Sequence, residues 1–280
     1  MKQLFDNVSF KCSKLVTKNY STSFSLAVYM LSSSIRDAIY SIYGFVRFAD
    51  EIVDSFHGYD KENLINDFEK EYYKAYNSGI SLNPILNAFQ QTVKQYNISD
   101  DLIQAFLKSM KTDLIKFDYN SKSDYEEYIY GSADVVGLMC LKVFVSGKEH
   151  KYEELKNQAM RLGSAFQKIN FLRDLKDDNL ILNRSYFPGV NLNSFDEKAK
   201  QAIINEINED LKVAYQGIVK LPIEAKFGVY TAYVYYKKLL NKLENTPCKE
   251  IGNARIRVSN YTKATLLAQS FVSYKLRLIE

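Results

Sequence analysis

With 280 residues, 46% of them hydrophobic, the chain is long enough to bury a sizeable core, and only 11 Gly and 4 Pro punctuate it, which favours an all-helical protein. Its net charge of +4 comes from dispersed Lys and Arg, so nucleic acid is a poor partner, and two distant histidines, His57 and His150, rule out most His-based catalytic schemes. The three widely spaced cysteines lack His partners at metal-ligand intervals and read as reduced thiols; with no apolar signal-like core and no bilayer-length apolar run, a soluble, cytoplasmic protein is expected.

In chain order, a short helix is expected over residues 6–17, after which Tyr20-Ser21-Thr22-Ser23-Phe24 enters the apolar run Leu26 to Leu31. Ser32-Ser33-Ser34, with Asp37 three residues after Ser34, supplies caps for a long helix reaching about Phe56. Scaffold-like helices of about 61–77, 84–96 and 99–115 follow, separated by Asn77-Ser78-Gly79 and Asn97-Ile98-Ser99. Ser123-Asp124-Tyr125-Glu126 fits a capping box that opens a longer helix containing Gly131 and Gly137. Interior glycines cost about 1 kcal/mol each against Ala, so they mark either a close helix contact or a ligand groove. A helix over 151–178 leads into Asn183-Arg184-Ser185-Tyr186-Phe187-Pro188-Gly189. Ser194-Phe195-Asp196-Glu197 caps the next helix, Pro222 suits the first turn of the one holding Tyr230, Tyr233, Tyr235 and Tyr236, and a last helix is expected from about Ala254 to Leu278. No repeat or linker divides residues 1–280, which read as one helical domain.

Two stretches carry the chemistry. Within Gln167 to Asp178, helical spacing stacks Gln167, Asn170, Asp174 and Asp178 on one face. In Tyr43 to Asp54 the same spacing aligns Tyr43, Arg47, Asp50 and Asp54 on an otherwise apolar helix. Each helix therefore offers Asp-x-x-x-Asp. Like charges at i and i+4 cost an isolated helix about 0.2–0.5 kcal/mol, and more when apolar neighbours draw them toward a core. A solvated acidic edge would explain one such pair; two pairs on apolar helices favour a bound cation. Carboxylates with an amide oxygen and almost no His or Cys select a hard divalent ion, Mg²⁺ first and Mn²⁺ as the alternative. Arg47 and Arg173 would add phosphate contacts. The 22 Tyr and 17 Phe are explained by core packing or by an aromatic cavity. Acidic helices across such a cavity suggest a diphosphate on an oily tail, with ring faces to stabilise a carbocation.

The two acidic motifs, Tyr20 to Phe24, Arg47, Tyr128 through Gly137, and Asn183 to Pro188 resemble, in order and spacing, the squalene/phytoene synthase family of head-to-head prenyltransferases. The resemblance spans nearly the whole chain and implies an all-α isoprenoid-synthase fold around a central cavity. It implies that Asp50, Asp54, Asp174 and Asp178, with Asn170, hold Mg²⁺, and that Gln167 extends the second site. Ser21, Arg47 and Arg255 would contact diphosphate, joined by Tyr20. Phe24, Tyr43, Tyr128, Ala133, Gly137 and Tyr236 would line channels for prenyl tails. One allylic diphosphate would ionise and alkylate the other to a cyclopropylcarbinyl diphosphate, which ionises again and rearranges.

Two departures stand out: Tyr20 where some members have His, and Asp134 after Ala133 where several have Gly. Asp134 would either alter the cavity wall or face outward. Val136-Gly137-Leu138-Met139 is more similar to phytoene synthases, and the chain shows no C-terminal anchor of the eukaryotic squalene synthase kind. Condensation of two geranylgeranyl diphosphates to phytoene without NADPH is thus expected. The alternatives are a farnesyl diphosphate enzyme making presqualene diphosphate, dehydrosqualene or squalene, and a non-catalytic scaffold. Lys249, Arg255, Arg257, Lys263, Lys275 and Arg277 against Glu250 and Glu280 form either a solvated helix face or a surface for loose docking on anionic lipid. Vesicle flotation at low salt decides between them: docking requires co-flotation, and its absence leaves a solvated face.

Overall fold

The computed structural model of the protein describes residues 1–119, 121–182, 184–190, 195–253, 255–276 and 279. These residues form thirteen α-helices and one five-residue π turn, with no strand; a lone bridge pairs Asp118 with Ser185. Helix α1 (Lys2–Tyr20) is longer at both ends than the expected 6–17, because nothing in its sequence breaks it before Ser21. Ser21 takes extended backbone and its hydroxyl accepts from the Phe24 amide at 3.2 Å, starting α2 (Thr22–Tyr29). The stretch expected to be an irregular entry is thus a capped helix junction.

Helix α3 (Ser33–Ser55) is buried on nearly every side and carries the first acidic motif at its C-terminal end. Against it lies α1, along a seam of fully buried Ser9, Ser13 and Thr17. Ser9 and Thr17 donate to the carbonyls of Phe5 and Ser13 one turn earlier, so the seam stays thin without leaving hydroxyls unpaired. Helices α4 (Lys61–Ser78), α5 (Pro84–Tyr96) and α6 (Asp100–Thr112) close the scaffold around Phe45, whose ring stacks on Phe89 at 3.9 Å between centroids. Gly79 and Asn97, both at positive φ, end α4 and α5 where the sequence places breaks.

The expected single helix with two glycines is three pieces. Helix α7 (Lys122–Ile129) passes through a π turn (Tyr130–Asp134) into α8 (Val135–Phe144). At Gly131 a Cβ would lie 2.8 Å from Ser109 Cβ and 3.0 Å from the Ala105 carbonyl oxygen, so the turn is pressed against α6. The cap of α7 is Ser121, accepting from Asp124 N, not Ser123 as expected; of the three serines expected to cap α3, Ser32 is the one that precedes it. Where several serines crowd one junction, the pattern fits more than one register. Asp196 caps α10 (Glu197–Ile218), Ser194 lying outside the described residues; Pro222 precedes α11 (Ile223–Glu244) instead of opening it.

Helix α9 (Glu149–Leu180) is the spine, packing on α8, α10, α11 and the π turn. Helix α8 touches both α3 and α9, and the space between those two is left open. Helix α12 (Cys248–Ile251) and α13 (Asn260–Lys275) finish the described chain; the expected bounds Ala254 and Leu278 fall outside it. No helix among the described residues is long and apolar enough to cross a membrane.

Gly228 is where α11 meets α2: a Cβ there would sit 2.4 Å from Leu31 Cδ2 and 2.8 Å from the Ala27 carbonyl oxygen. Gly228→Ala gains about 1 kcal/mol of helix propensity but forces the helices apart, at a strain of about 1–3 kcal/mol. The expected result is a lower melting temperature, read by circular dichroism; an unchanged or higher value would show that α2 yields freely.

Candidate active site

Tyr43, Arg47, Asp50 and Asp54 lie on one face of α3, as their spacing requires. Arg47 donates to Asp50 and to Glu51, and its guanidinium sits 4.5 Å from the centroid of the half-exposed Tyr20 ring. Tyr43 stacks on Phe24 at 4.8 Å, and burial pushes its phenol up to about 12. Ser21 is engaged as the cap of α2.

On α9, Gln167 donates to Ser132 Oγ at 3.3 Å, and Asn170 Oδ1 accepts from Tyr236 OH at 3.4 Å. Asp174 is gripped from two sides, by Arg173 (Nε to Oδ1, 2.9 Å) and Arg255 (Nε to Oδ1, 2.8 Å). The arginines anticipated as phosphate contacts hold a carboxylate in this structure.

The two motifs face each other. Burial pushes Asp178 up to about 8, helped by Asp174 on its own helix and by Asp54 on α3. Asp50 is raised as well, first by burial and then by Asp54, although its side chain is still 32% exposed at the floor of an open recess. Arg184 ties the recess together. Its Nη1 donates to Asp54 Oδ1 at 2.7 Å and to Tyr186 OH at 3.3 Å, and its Nη2 donates to the Asp113 carbonyl at 3.0 Å.

Asp113 is a carboxylate beside the recess that the motifs miss. It follows α6 as an isolated Asp with no acidic partner at helical spacing, so only its fold neighbours reveal it. Its buried carboxylate accepts from Tyr128 OH at 2.8 Å and Tyr119 OH at 3.3 Å. Burial raises it to about 7 against the lowering effects of Arg184 and Tyr128. This corrects the expected place of Tyr128, which does not line the cavity: tied to Asp113, it packs among Tyr119, Tyr186 and Phe171 behind the acidic recess.

Below the recess opens a cavity of about 270 Å³ with almost wholly apolar walls. Phe24, Tyr43, Ala133, Gly137 and Tyr236 line it, and so does Gln167, expected to extend the second acidic site. Gly137 lines the cavity and also lies against α9, where a Cβ would sit 2.9 Å from the Ala159 carbonyl oxygen. Tyr236 joins the two regions, touching Asn170 at the acidic end and the cavity at the other. Asp134 does neither of the things expected of it. Its carboxylate turns into a buried network, accepting from Ser164 Oγ at 2.6 Å near Lys168, Arg161 and Asp210, and burial raises it to about 7.

Among the described residues no three His, Cys, Asp or Glu side chains converge to hold a metal as they stand. The donor chemistry nevertheless fits a hard cation beside an anion. Asp50, Glu51, Asp54, Asp113, Asp174 and Asp178 outnumber Arg47, Arg173, Arg184 and Arg255, and the buried Nε of both Arg47 and Arg184 has no hydrogen-bond partner.

The Squalene/phytoene synthase family model matches residues 17–262. The chain belongs to the squalene/phytoene synthase family. Its members condense prenyl diphosphates head to head, as transferases of isoprenoid biosynthesis. Among relatives, phytoene synthase of Arthrospira platensis is 24% identical, with 92% of this chain and 91% of that one covered. The chloroplastic phytoene synthase 1 of Solanum lycopersicum is 25% identical over 82% of this chain, which spans only 60% of that relative's length. The 4,4'-diapophytoene synthase of Staphylococcus haemolyticus is 26% identical, covering 75% of this chain and 70% of the relative. A dehydrosqualene synthase crystal structure superposes with a TM-score of 0.82 at 20% identity, over 96% of this chain and 98% of that one. The squalene/phytoene synthase fold is thereby shared.

Carboxyls whose pKa rises on folding give stability that is full below the unfolded value of about 4 and is lost as pH climbs through the folded value. For Asp113, Asp134 and Asp178 that loss falls between about pH 5 and 8. In metal-free buffer the melting temperature should therefore decline across this interval, and Asp134→Asn should flatten the decline. A melting temperature that rises over the same interval would contradict the burial of these carboxyls.

Proposed function

We propose that this chain condenses two geranylgeranyl diphosphates head to head, through prephytoene diphosphate, to phytoene. The observation that carries the proposal is the pair of opposed Asp-x-x-x-Asp motifs at the rim of an apolar cavity, between arginines with unpaired, buried Nε groups. Asp50, Asp54, Asp174, Asp178 and Asn170 would hold Mg²⁺, which when bound supplies charge neutralisation for a departing diphosphate. Arg47, Arg255 and the hydroxyls of Ser21 and Tyr20 orient diphosphate oxygens, and the Nε groups of Arg47 and Arg184 donate to them. The allylic C–O bond of one substrate breaks, its electron pair leaving with diphosphate. The double bond of the second substrate attacks the cation, and loss of a proton closes the cyclopropane. The second C–O bond then breaks in the same sense, and rearrangement with loss of another proton gives the hydrocarbon, so no hydride donor such as NADPH is needed. The rings of Phe24 and Tyr43 offer their faces to the cations, and the apolar walls exclude water that would quench them.

A second reading, condensation of two farnesyl diphosphates, is favoured by the likeness to a dehydrosqualene synthase structure and to a 4,4'-diapophytoene synthase. Incubating the purified protein with Mg²⁺ and radiolabelled geranylgeranyl or farnesyl diphosphate distinguishes the two by the hydrocarbon formed. Release of diphosphate from neither would leave only the scaffold reading. Asp50→Asn and Asp174→Asn should each lower turnover by at least a hundredfold while preserving the helical circular dichroism spectrum. Retention of activity in both would refute the roles assigned to them.

A further inference from the structure

The C-terminal ends of α3, α6 and α9 meet at Arg184. Its Nη1 donates to Asp54 at 2.7 Å, its Nη2 to the Asp113 carbonyl at 3.0 Å, and its backbone N–H to the Asp178 carbonyl at 2.8 Å. Each of these helices runs on into large exposed apolar side chains: Phe56 and Tyr59 after α3, Ile115 and Phe117 after α6, Leu180 and Ile181 at the end of α9. Ile115 is 81% exposed, Tyr59 74% and Leu180 67%, which is more than the edge of a core shows. The segments that carry them lie side by side. The Phe56 ring is 6.3 Å from that of Tyr59, and Ser185, next to Arg184, donates its backbone N–H to the Phe117 carbonyl at 2.9 Å. Single exposed apolar side chains are ordinary, but six around one recess form a patch of the kind that marks an interaction surface.

We infer that this apolar collar docks the mouth of the acidic recess on a bilayer of zwitterionic lipid. The six side chains come from three separate connections and not from one helix face, groove or strand edge. They offer no register to a partner helix or strand, whereas a fluid apolar phase needs none. The lysines beside them are engaged by the protein: Lys61 donates to the Val53 carbonyl at 2.9 Å, Lys116 pairs with Asp124 at 2.7 Å, and Lys176 donates to the Asn253 carbonyl at 2.8 Å. Anionic headgroups therefore find no free ammonium there, and the carboxylates of the recess repel them, which leaves apolar burial as the attraction. On the prenyl diphosphate reading above, the tail of the substrate dissolves in lipid while its head stays at the surface, so docking by the collar brings the recess to the level of the diphosphate. Only this last step rests on that reading. The face is also distinct from the basic C-terminal segment, which would require anionic lipid and low salt.

The test is flotation of the substrate-free protein with phosphatidylcholine vesicles in about 1 M NaCl, where charges are screened beyond about 3 Å. The wild-type protein should co-float. Ile115→Ser, Leu180→Ser and Ile181→Ser combined in one chain should lower the partition coefficient at least about tenfold, whereas Phe271→Ser with Val272→Ser on α13 should leave it unchanged. The chain has no Trp, so Ile115→Trp supplies a single indole while keeping the position apolar. Its emission should shift to the blue on addition of the vesicles and be quenched by brominated lipid, and Phe271→Trp should show neither effect; this arm decides the matter even if the triple variant misfolds. Absence of co-flotation would overturn the inference, as would a folded triple variant that floats like the wild type. Co-flotation confined to anionic vesicles at low salt would overturn it in favour of the basic segment. An Ile115→Trp shift produced by inorganic diphosphate with Mg²⁺ and not by vesicles would make the collar a lid and end the docking role. No arm contains a prenyl substrate, so each of these failures leaves the prenyl diphosphate reading standing; that reading falls only in the radiolabel assay.

Discussion

The structure depends on holding several carboxylates in one partly desolvated recess. Asp50 and Asp54 arrive from α3, Asp174 and Asp178 from α9, and Asp113 from the end of α6, and burial, added to by their mutual repulsion, raises Asp50, Asp113 and Asp178. Arginines keep the recess from flying apart. Arg184 spans 130 residues of sequence to reach Asp54 while its other nitrogen is pinned to the Asp113 carbonyl, so α3, α6 and the segment after α9 are cross-braced through one guanidinium. Arg184 is buried while Asp54 keeps 28% of its side chain exposed, so removing Asp54 leaves a buried guanidinium short of a partner.

That electrostatic stress also defines what the site can accept. A recess rich in carboxylate oxygens, beside guanidinium nitrogens with free donors, offers ligand oxygens for a cation and N–H donors for an anion side by side. The apolar cavity begins where the charges end, and Tyr236 marks the border by bonding Asn170 on one side and lining the cavity on the other. One helix, α9, carries both regions, its acidic turn and its greasy turns sharing a face.

Much of this was legible in the residues. Gly79 and Asn97 placed the breaks between the scaffold helices, because chain reversal at positive φ is a local fact, although α6 ends at Thr112, three residues short of the expected 115. The two Asp-x-x-x-Asp stripes were visible for the same reason: i, i+4 spacing is geometry internal to a helix. What escaped was non-local. Asp113 has no periodic partner and becomes part of the site only through Tyr128 and Arg184, 15 and 71 residues away. The π turn has no signature of its own; the extra residue is accommodated where Gly131 is pressed against Ser109 and Ala105, a contact that exists only after folding.

The same logic explains why Asp134 departs from expectation. Its carboxylate cannot face the cavity, because Ala133 and Ser132 already present the π turn's inner surface and Gly163 brings α9 within 2.8 Å, measured from its absent Cβ, of the Ala133 carbonyl oxygen. The only direction left is between α9 and α10, where Ser164 donates to it and Lys168 bonds Asp210 and Glu206. Helix α9 is therefore clamped on its back face by one buried ionic network and on its front face by the acidic recess. Two opposed clamps restrict both its rotation and its slide, and so fix the acidic turn of α9 against that of α3.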